Sequence, residues 1–304
     1  MISGILNVYK EEGFTSHDVV AKLRHILGQK KIGHTGTLDP AAVGVLPVCL
    51  GSATKVCSLL TDTDKVYRAD MLLGVSTDTQ DTTGTVLKTC PVNCTESRIR
   101  EAAASFEGEY AQVPPMYSAL KVNGKKLCDL ARKGKEVERR ARTVHIYGIV
   151  IERISLPLVT IRVSCSKGTY IRTLCHDIGE RLGCGGCTAH LERLQAGRFV
   201  SEESHTIGQI SEAFSEGRLD EWIISADSLF EEYPRAVSAG NDKILLNGNA
   251  LRHDQVRFLT GAGDTAVSAK QPEMIRLYDA NGRFTAIYRW AADRQMYIPE
   301  KMFI

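Results

Sequence analysis

The sequence predicts an α+β fold closed by a small β-rich tail. Segments of strand character, such as Lys65 to Leu73 with Tyr67, Ala69, Met71 and Leu73 on one side, are interleaved with segments whose apolar residues recur at helical spacing. After a polar, acidic stretch from Ser201 to Glu232, the chain changes to short apolar runs broken by turns at Asn247-Gly248, Gly261-Ala262-Gly263 and Asn281-Gly282. Length agrees with two units, since 304 residues correspond to roughly two domains of about 150 residues. A boundary near Tyr233-Pro234 separates residues 1–234 from 235–304.

Taken in order, residues 4–9 form a short apolar strand. Thr15 or Ser16 caps a helix, with Asp18 completing a capping box and Val19, Val20, Leu23, Ile26 and Leu27 on one face up to Gly28. Residues 41–60 are apolar and glycine-interrupted, as expected of buried scaffold. Thr77 to Gly84 reads as a polar turn, and Thr95 to Phe106 as a helix with Ile99, Ala102, Ala103 and Phe106 inward. Pro114-Pro115-Met116-Tyr117-Ser118 must be extended, because each proline disfavours helix before it. Asn123-Gly124 marks a tight turn, followed by a short basic helix from Lys125 to Lys133. Val144 to Ile154 and Leu158 to Cys165 are strands flanking Pro157. Thr169 is expected to cap a helix carrying Ile171, Leu174, Ile178 and Leu182. In the tail, Met274 to Tyr278 and Phe284 to Trp290 read as strands.

Composition narrows the function. Hydrophobic residues make up 43% and charged residues 24%, ordinary values for a globular protein. No stretch approaches the ~20 apolar residues of a membrane span, and the N-terminus lacks the features of a signal peptide, so a cytoplasmic protein with no membrane partner is expected. Nine irregularly spaced cysteines suit a reducing compartment. Net charge is only +2, but Lys121 to Arg142 holds nine Lys or Arg against three acids. Such a basic concentration is what a phosphate backbone selects.

The motifs exclude some chemistries. Gly33-x-x-Gly36 lacks the Gly-Lys-Ser/Thr of a phosphate-binding loop, and no G-x-G-x-x-G opens a helix. Cys184-Gly185-Gly186-Cys187 is a single C-x-x-C after a helix C-terminus, a poor place for a redox thiolate and half of a zinc ribbon. What stands out is Asp39, held among Gly33, His34, Gly36 and Pro40, with Lys30 and Lys31 upstream. Glycines permit sharp turns and Pro40 keeps Asp39 out of the α region, so the loop is rigid and presents a carboxylate. Arg172 sits in the first turn of its helix, where the dipole disfavours a cation by ~0.3–1 kcal/mol. It either curls into solvent or has an anionic partner, a carboxylate or a phosphate. An aspartate with an Arg and a Tyr67 suits carboxylate nucleophilic chemistry without cofactor or metal. Pairing with Arg would lower the carboxyl pKa by ~1–3 units.

These residues carry a resemblance. Gly33-His34-Thr35-Gly36-Thr37-Leu38-Asp39-Pro40 is similar to the catalytic motif of the TruB-type tRNA pseudouridine synthases, which convert uridine 55 of the tRNA T-arm to pseudouridine. Gly4 to Lys10 with Thr15 to Val20, Lys65-Val66-Tyr67-Arg68, Pro114 to Lys121 and Ser164 to Leu174 resemble further motifs of that family, in order over residues 4–199. The resemblance implies the pseudouridine synthase fold, a mixed, largely antiparallel sheet with helices, and a PUA-like module in 235–304. It implies Asp39 as nucleophile, Arg172 as its ion-pair partner and Tyr67 as the ring stacking on the target base. His34 is then the wedge that replaces the flipped base, and Leu191 the active-site leucine. Lys10, Lys31, Lys121 and Lys167, in or beside the motifs, are expected on RNA. Residues 121–142 form a thumb closing on the T-arm, where Cys128 stands in place of a frequent tyrosine. The expected partner is tRNA bound by a monomer. A non-catalytic RNA-binding protein and a guide-RNA-dependent synthase are the alternatives.

Overall fold

In a computed structural model the chain is described at residues 1–122, 124–240, 242–259 and 271–304. The turns expected at Asn123-Gly124 and Gly261-Ala262-Gly263 lie wholly or partly outside these residues.

The strands in chain order are β1 (Gly4–Lys10), β2 (Ile32–His34), β3 (Val43–Leu50), β4 (Lys65–Leu73), β5 (Val75–Thr77), β6 (Val86–Thr89), β7 (Gly108–Gln112), β8 (Lys121–Val122), β9 (Lys125–Lys126), β10 (Arg142–Ser155), β11 (Leu158–Cys165), β12 (Gly186–Ala196) and β13 (Phe199–Val200). A nine-stranded sheet runs β1-β3-β12-β4-β11-β10-β7, with β2 on β3 and β13 on β12. Every pairing in it is antiparallel except β12 with β3. The helices are α1 (Ser16–Ile26), α2 (Cys57–Thr61), α3 (Glu96–Ala104), α4 (Leu127–Ala131), α5 (Ile171–Leu182) and α6 (Ile207–Ser215).

Local chemistry explains the first elements. Thr15 caps α1 and forms a capping box with Asp18, and Val19, Val20 and Leu23 bury against β1 and β3 residues Leu6, Val8, Leu46 and Val48. All eight residues of β3 are buried, because the sheet is covered on both sides there. On β4 the alternation puts Tyr67, Ala69, Met71 and Leu73 into the core with Ile99 of α3 and Leu174 and Ile178 of α5.

Two expectations change, and one strand was not expected. Tyr170, not Thr169, is the N-cap of α5 and makes no side-chain cap bond. Thr169 Oγ1 instead donates to the Ser166 carbonyl at 2.8 Å, tightening the preceding turn. The basic helix shrinks to Leu127–Ala131, because Lys125 and Lys126 pair with Lys121 and Val122 as a hairpin. The 11-residue β12 had no expectation at all, although it lies between β3 and β4.

The C-terminal strands β14 (Arg235–Ser238), β15 (Leu251–Arg252), β16 (Val256–Phe258), β17 (Met274–Tyr278), β18 (Phe284–Ala291) and β19 (Met296–Met302), with α7 (Asp242–Leu246), form a six-stranded sheet. Its Ile287 and Phe303 share a buried cluster with Ile5, Val45, Phe199 and Phe230. No described helix is long and apolar enough to cross a membrane.

A tight joint lies between β3 and β12. Gly44 has φ of 104°, and a Cβ there would stand 2.3 Å from the Arg193 carbonyl oxygen. Backbone cannot yield as a flexible side-chain tip would, so Gly44→Ala combines a left-handed residue with a main-chain clash. The expected loss is about 3 kcal/mol or more of stability, seen as a lowered Tm.

Candidate active site

A cleft of about 350 Å³ opens at the C-terminal end of β2, with Asp39, Lys65, Tyr67, Arg172, Leu191 and Arg193 in its wall. The loop carrying Asp39 is fixed from several sides. Thr35 N and Oγ1 both donate to the Pro47 carbonyl, Leu38 N donates to Ser16 Oγ at 2.9 Å, and Gly13 N donates to the Pro40 carbonyl at 3.0 Å. Gly36 supplies the positive φ, 112°, that the turn requires.

Arg172 lies one residue inside Ile171, the first residue of α5, and its side chain is 7% exposed. Its Nε meets Asp39 Oδ2 at 2.9 Å and its Nη1 meets Asp81 Oδ2 at 3.3 Å. The Thr79 carbonyl accepts from Nη1 at 2.8 Å and the Tyr117 carbonyl from Nη2 at 2.7 Å. The cation that the helix dipole disfavours is therefore balanced by two carboxylates and two carbonyls.

Asp81 is one of the residues the sequence did not reveal. It lies in the polar turn between β5 and β6, where Thr79 Oγ1 at 2.7 Å, Thr83 Oγ1 at 2.6 Å and Thr83 N at 3.0 Å all donate to Oδ1. Those bonds leave Oδ2 for Arg172. The T-D-T-Q-D-T-T run was a signal of Asx and hydroxyl turns, but not of a partner on a helix far along the chain.

Burial in the cleft raises the Asp39 pKa, Arg172 opposes that rise, and the negative charge of Asp81 adds to it. The sequence expectation, a pKa lowered by Arg172, is corrected: desolvation outweighs the ion pair. Removing Asp81 therefore acts twice on the site. Asp81→Asn takes away a charge that raises the Asp39 pKa, so the acid limb of the rate profile moves to lower pH. The same change slackens Arg172, and the maximal rate is expected to fall ~10–100-fold, the scale of a lost orienting partner. A pH series of single-turnover rates reads both.

Tyr67 is 9% exposed. Burial raises its phenol pKa while the Arg193 guanidinium, hydrogen-bonded to it, works the other way. The pairing of β12 with β4 explains the grouping, because it sets Arg193 opposite Tyr67 and Leu191 opposite Ala69.

The remaining expected residues scatter. His34 is on β2 opposite Val48 and half-buried, outside the wall of the cleft. Burial lowers its pKa, which favours a neutral ring. Lys31, Lys121 and Lys167 are exposed, and Lys167 Nζ is 3.2 Å from Asp62 Oδ2. Lys10 is not placed for RNA: it is 0% exposed, and its Nζ donates to the Phe14 carbonyl at 2.6 Å and the Pro40 carbonyl at 3.2 Å. A buried ammonium must keep its hydrogen bonds, and here they tie the Asp39 loop to β1. From the cleft a second depression continues past Asp39 and Tyr117 to Cys128, Asp129 and Arg132 of α4 and the turn after it. The basic insertion thus borders the site.

Known proteins resemble the chain along its length. Residues 24–171 match the TruB family pseudouridylate synthase (N terminal domain), and residues 172–231 match the tRNA pseudouridylate synthase B C-terminal domain. The chain is 49% identical to the tRNA pseudouridine synthase B of Lachnoclostridium phytofermentans over the full length of both. It is 51% identical to that of Clostridium novyi, covering 94% of this chain and 95% of the other. Among solved structures, an H/ACA RNP bound to a substrate RNA containing 2′-deoxyuridine holds a chain with TM-score 0.68 and 25% identity, covering 99% of this chain and 85% of that one. These matches make the chain a pseudouridine synthase, an isomerase that acts on RNA. Within that class, the chain belongs to the TruB family.

Proposed function

We propose that this protein isomerises uridine 55 of the tRNA T-arm to pseudouridine, acting as a cytoplasmic monomer on free tRNA, with Asp39 as nucleophile and no cofactor. The observation that carries this reading is the Asp39–Arg172 ion pair at 2.9 Å in one cleft with Tyr67 and Leu191. It is a carboxylate held for attack, beside a ring and an aliphatic side chain suited to a flat base. The relatives named above, tRNA pseudouridine synthases of similar length, support the substrate.

A uridine must leave its loop before its glycosidic bond can be reached, at a cost of a few kcal/mol. Stacking on Tyr67, with His34 occupying the vacated place, offsets ~1–3 kcal/mol per base. Asp39 then either attacks C1′ or promotes glycal formation by loss of the 2′ proton. In both routes the C1′–N1 bond breaks and its electron pair departs with the pyrimidine, which becomes an anion. The ring turns and C5 bonds to C1′, displacing the Asp39 carboxylate in the first route and with C2′ regaining its proton in the second. C5 then loses its proton and N1 gains one, so product and substrate are isomers. Tyr67 is placed to assist the C5 proton transfer. Lys31, Lys121 and Lys167 meet phosphates, as basic residues do around splayed RNA loops, and residues 121–142 close over the arm. The 235–304 module extends the contact as a PUA-like domain.

The experiment is modification mapping of unmodified tRNA and of an isolated T-arm stem-loop treated with the purified chain. Pseudouridine at position 55 in both is the expected result. A product only when a guide RNA and further proteins are added would overturn the reading in favour of the guided type. Binding without any product would leave an RNA-binding protein.

A further inference from the structure

Three cations are buried without an ion-pair partner, Lys65 and Arg193 in the wall of the cleft and Lys10 beneath the loop that carries Asp39. Lys10 and Arg193 are 0% and 1% exposed, and Lys65 is 7% exposed. Lys10 Nζ is held by the carbonyls of Glu11, Phe14 and Pro40. Lys65 Nζ is held by the carbonyls of Thr61 and Thr63. Arg193 Nε donates to the Val45 carbonyl at 2.6 Å and Nη2 to the Gly36 carbonyl at 3.4 Å. Among the described residues no carboxylate comes within ion-pair reach of any of the three.

Buried cations are costly, and proteins ordinarily pair them with acids. Here they are gathered instead: Arg193 opposes protonation of both Lys10 and Lys65. Carbonyl dipoles satisfy their donors but cancel none of their charge. Lys65 and Arg193 reach the wall of the cleft that also holds Asp39 and Tyr67, so positive charge without a contacting acid borders the cavity. Catalytic sites gain most from fixed charges aimed where charge develops, and such charges act strongly where water is excluded.

We propose that Lys10, Lys65 and Arg193 form a cationic floor that stabilises the pyrimidine anion released when the C1′–N1 bond breaks. This rests on the proposed reaction, in which the electron pair of that bond leaves with the base. The floor gives and takes no proton. It lowers the energy of the anion until C5 recaptures C1′. Asp39 also draws on it, as the carboxylate whose charge acts most on Lys10. Arg193 is in addition a positioning residue, through its bond to Tyr67.

The floor also has a pH range. Burial lowers both Lys10 and Lys65 to about 8. The groups facing Lys65 are Arg193, Cys165, Asp62 and Asp64, and those facing Lys10 are Asp39, Arg193, Glu12 and Asp18. Each lysine is cationic below that value and neutral above it, so the field weakens as pH rises through about 8.

The test is single-turnover pseudouridine formation on a T-arm stem-loop across pH, with the RNA affinity of each variant measured alongside. Arg193→Met should slow the reaction ~100-fold, the scale of one lost electrostatic stabiliser, with affinity changed less than about threefold, and Arg193→Lys should recover most of the rate. Lys65→Arg, which keeps its charge at every pH, should move the alkaline limb upward. The floor is overturned if Arg193→Met retains the wild-type rate. It is also overturned if Arg193→Lys fails to rescue while the Lys65→Arg limb stays in place, since the residues are then structural. Loss of the proposed reaction itself would show separately, as absence of product with the wild-type chain.

Discussion

Asp39→Asn should abolish pseudouridine formation, lowering the single-turnover rate by at least about 10³-fold, as removal of a nucleophile does in enzymes whose groups act as a unit. Asparagine keeps the shape and can still accept a hydrogen bond from Arg172. What goes is the negative charge that, in the proposed reaction, attacks C1′ or draws off a proton. RNA affinity should change little, because the loop is fixed by Thr35, Leu38 and Pro40 rather than by the carboxylate. A mapping assay with a parallel binding curve distinguishes the two quantities. A variant retaining more than a tenth of the wild-type rate would remove Asp39 from its role.

Arg172→Met is expected to be almost as severe, ~10²–10³-fold at neutral pH, the scale of a lost charge-stabilising group. In the native site the guanidinium separates two carboxylates, Asp39 and Asp81, and touches both. Without it they face each other in a cleft whose burial already raises the Asp39 pKa, and like charges at close range push one carboxyl toward protonation. In the proposed reaction the active form is the carboxylate. Activity is therefore present above the Asp39 pKa and lost as pH falls through it. Removing the cation raises that pKa, so the acid limb moves to higher pH. Partial recovery on raising the pH would identify protonation as the cause. Arg172→Lys should rescue poorly, because a point charge cannot reach two carboxylates and two carbonyls from one rigid fork.

What was legible in the sequence is what local chemistry encodes. The Thr15 capping box, the alternation of β4 and the rigidity of the Asp39 loop depend on neighbours a few residues away, and each could be read directly. Arg172 stood out because a cation in a first helical turn needs an explanation. Asp81 could not be read, since its significance arises only where a hairpin turn meets α5. Neither could β12: flanked by β3 and β4, it lacks the simple alternation of a half-exposed strand. Lys10 and Asp39 were misjudged for one reason. A sequence counts charges but does not show desolvation, and burial places Lys10 beneath the loop and lifts the carboxyl that Arg172 alone would lower.

The position of β12 sets an order of events during synthesis. Strands β3 and β4 are made early, yet the place between them stays vacant until residues 186–196 arrive. Until then each offers an unpaired edge, the feature most open to pairing with the wrong chain. The late strand also brings Leu191 and Arg193, so the nascent protein has its carboxylate long before it has the wall that faces it. The last long strand of the sheet and the second wall of the cleft therefore arrive together.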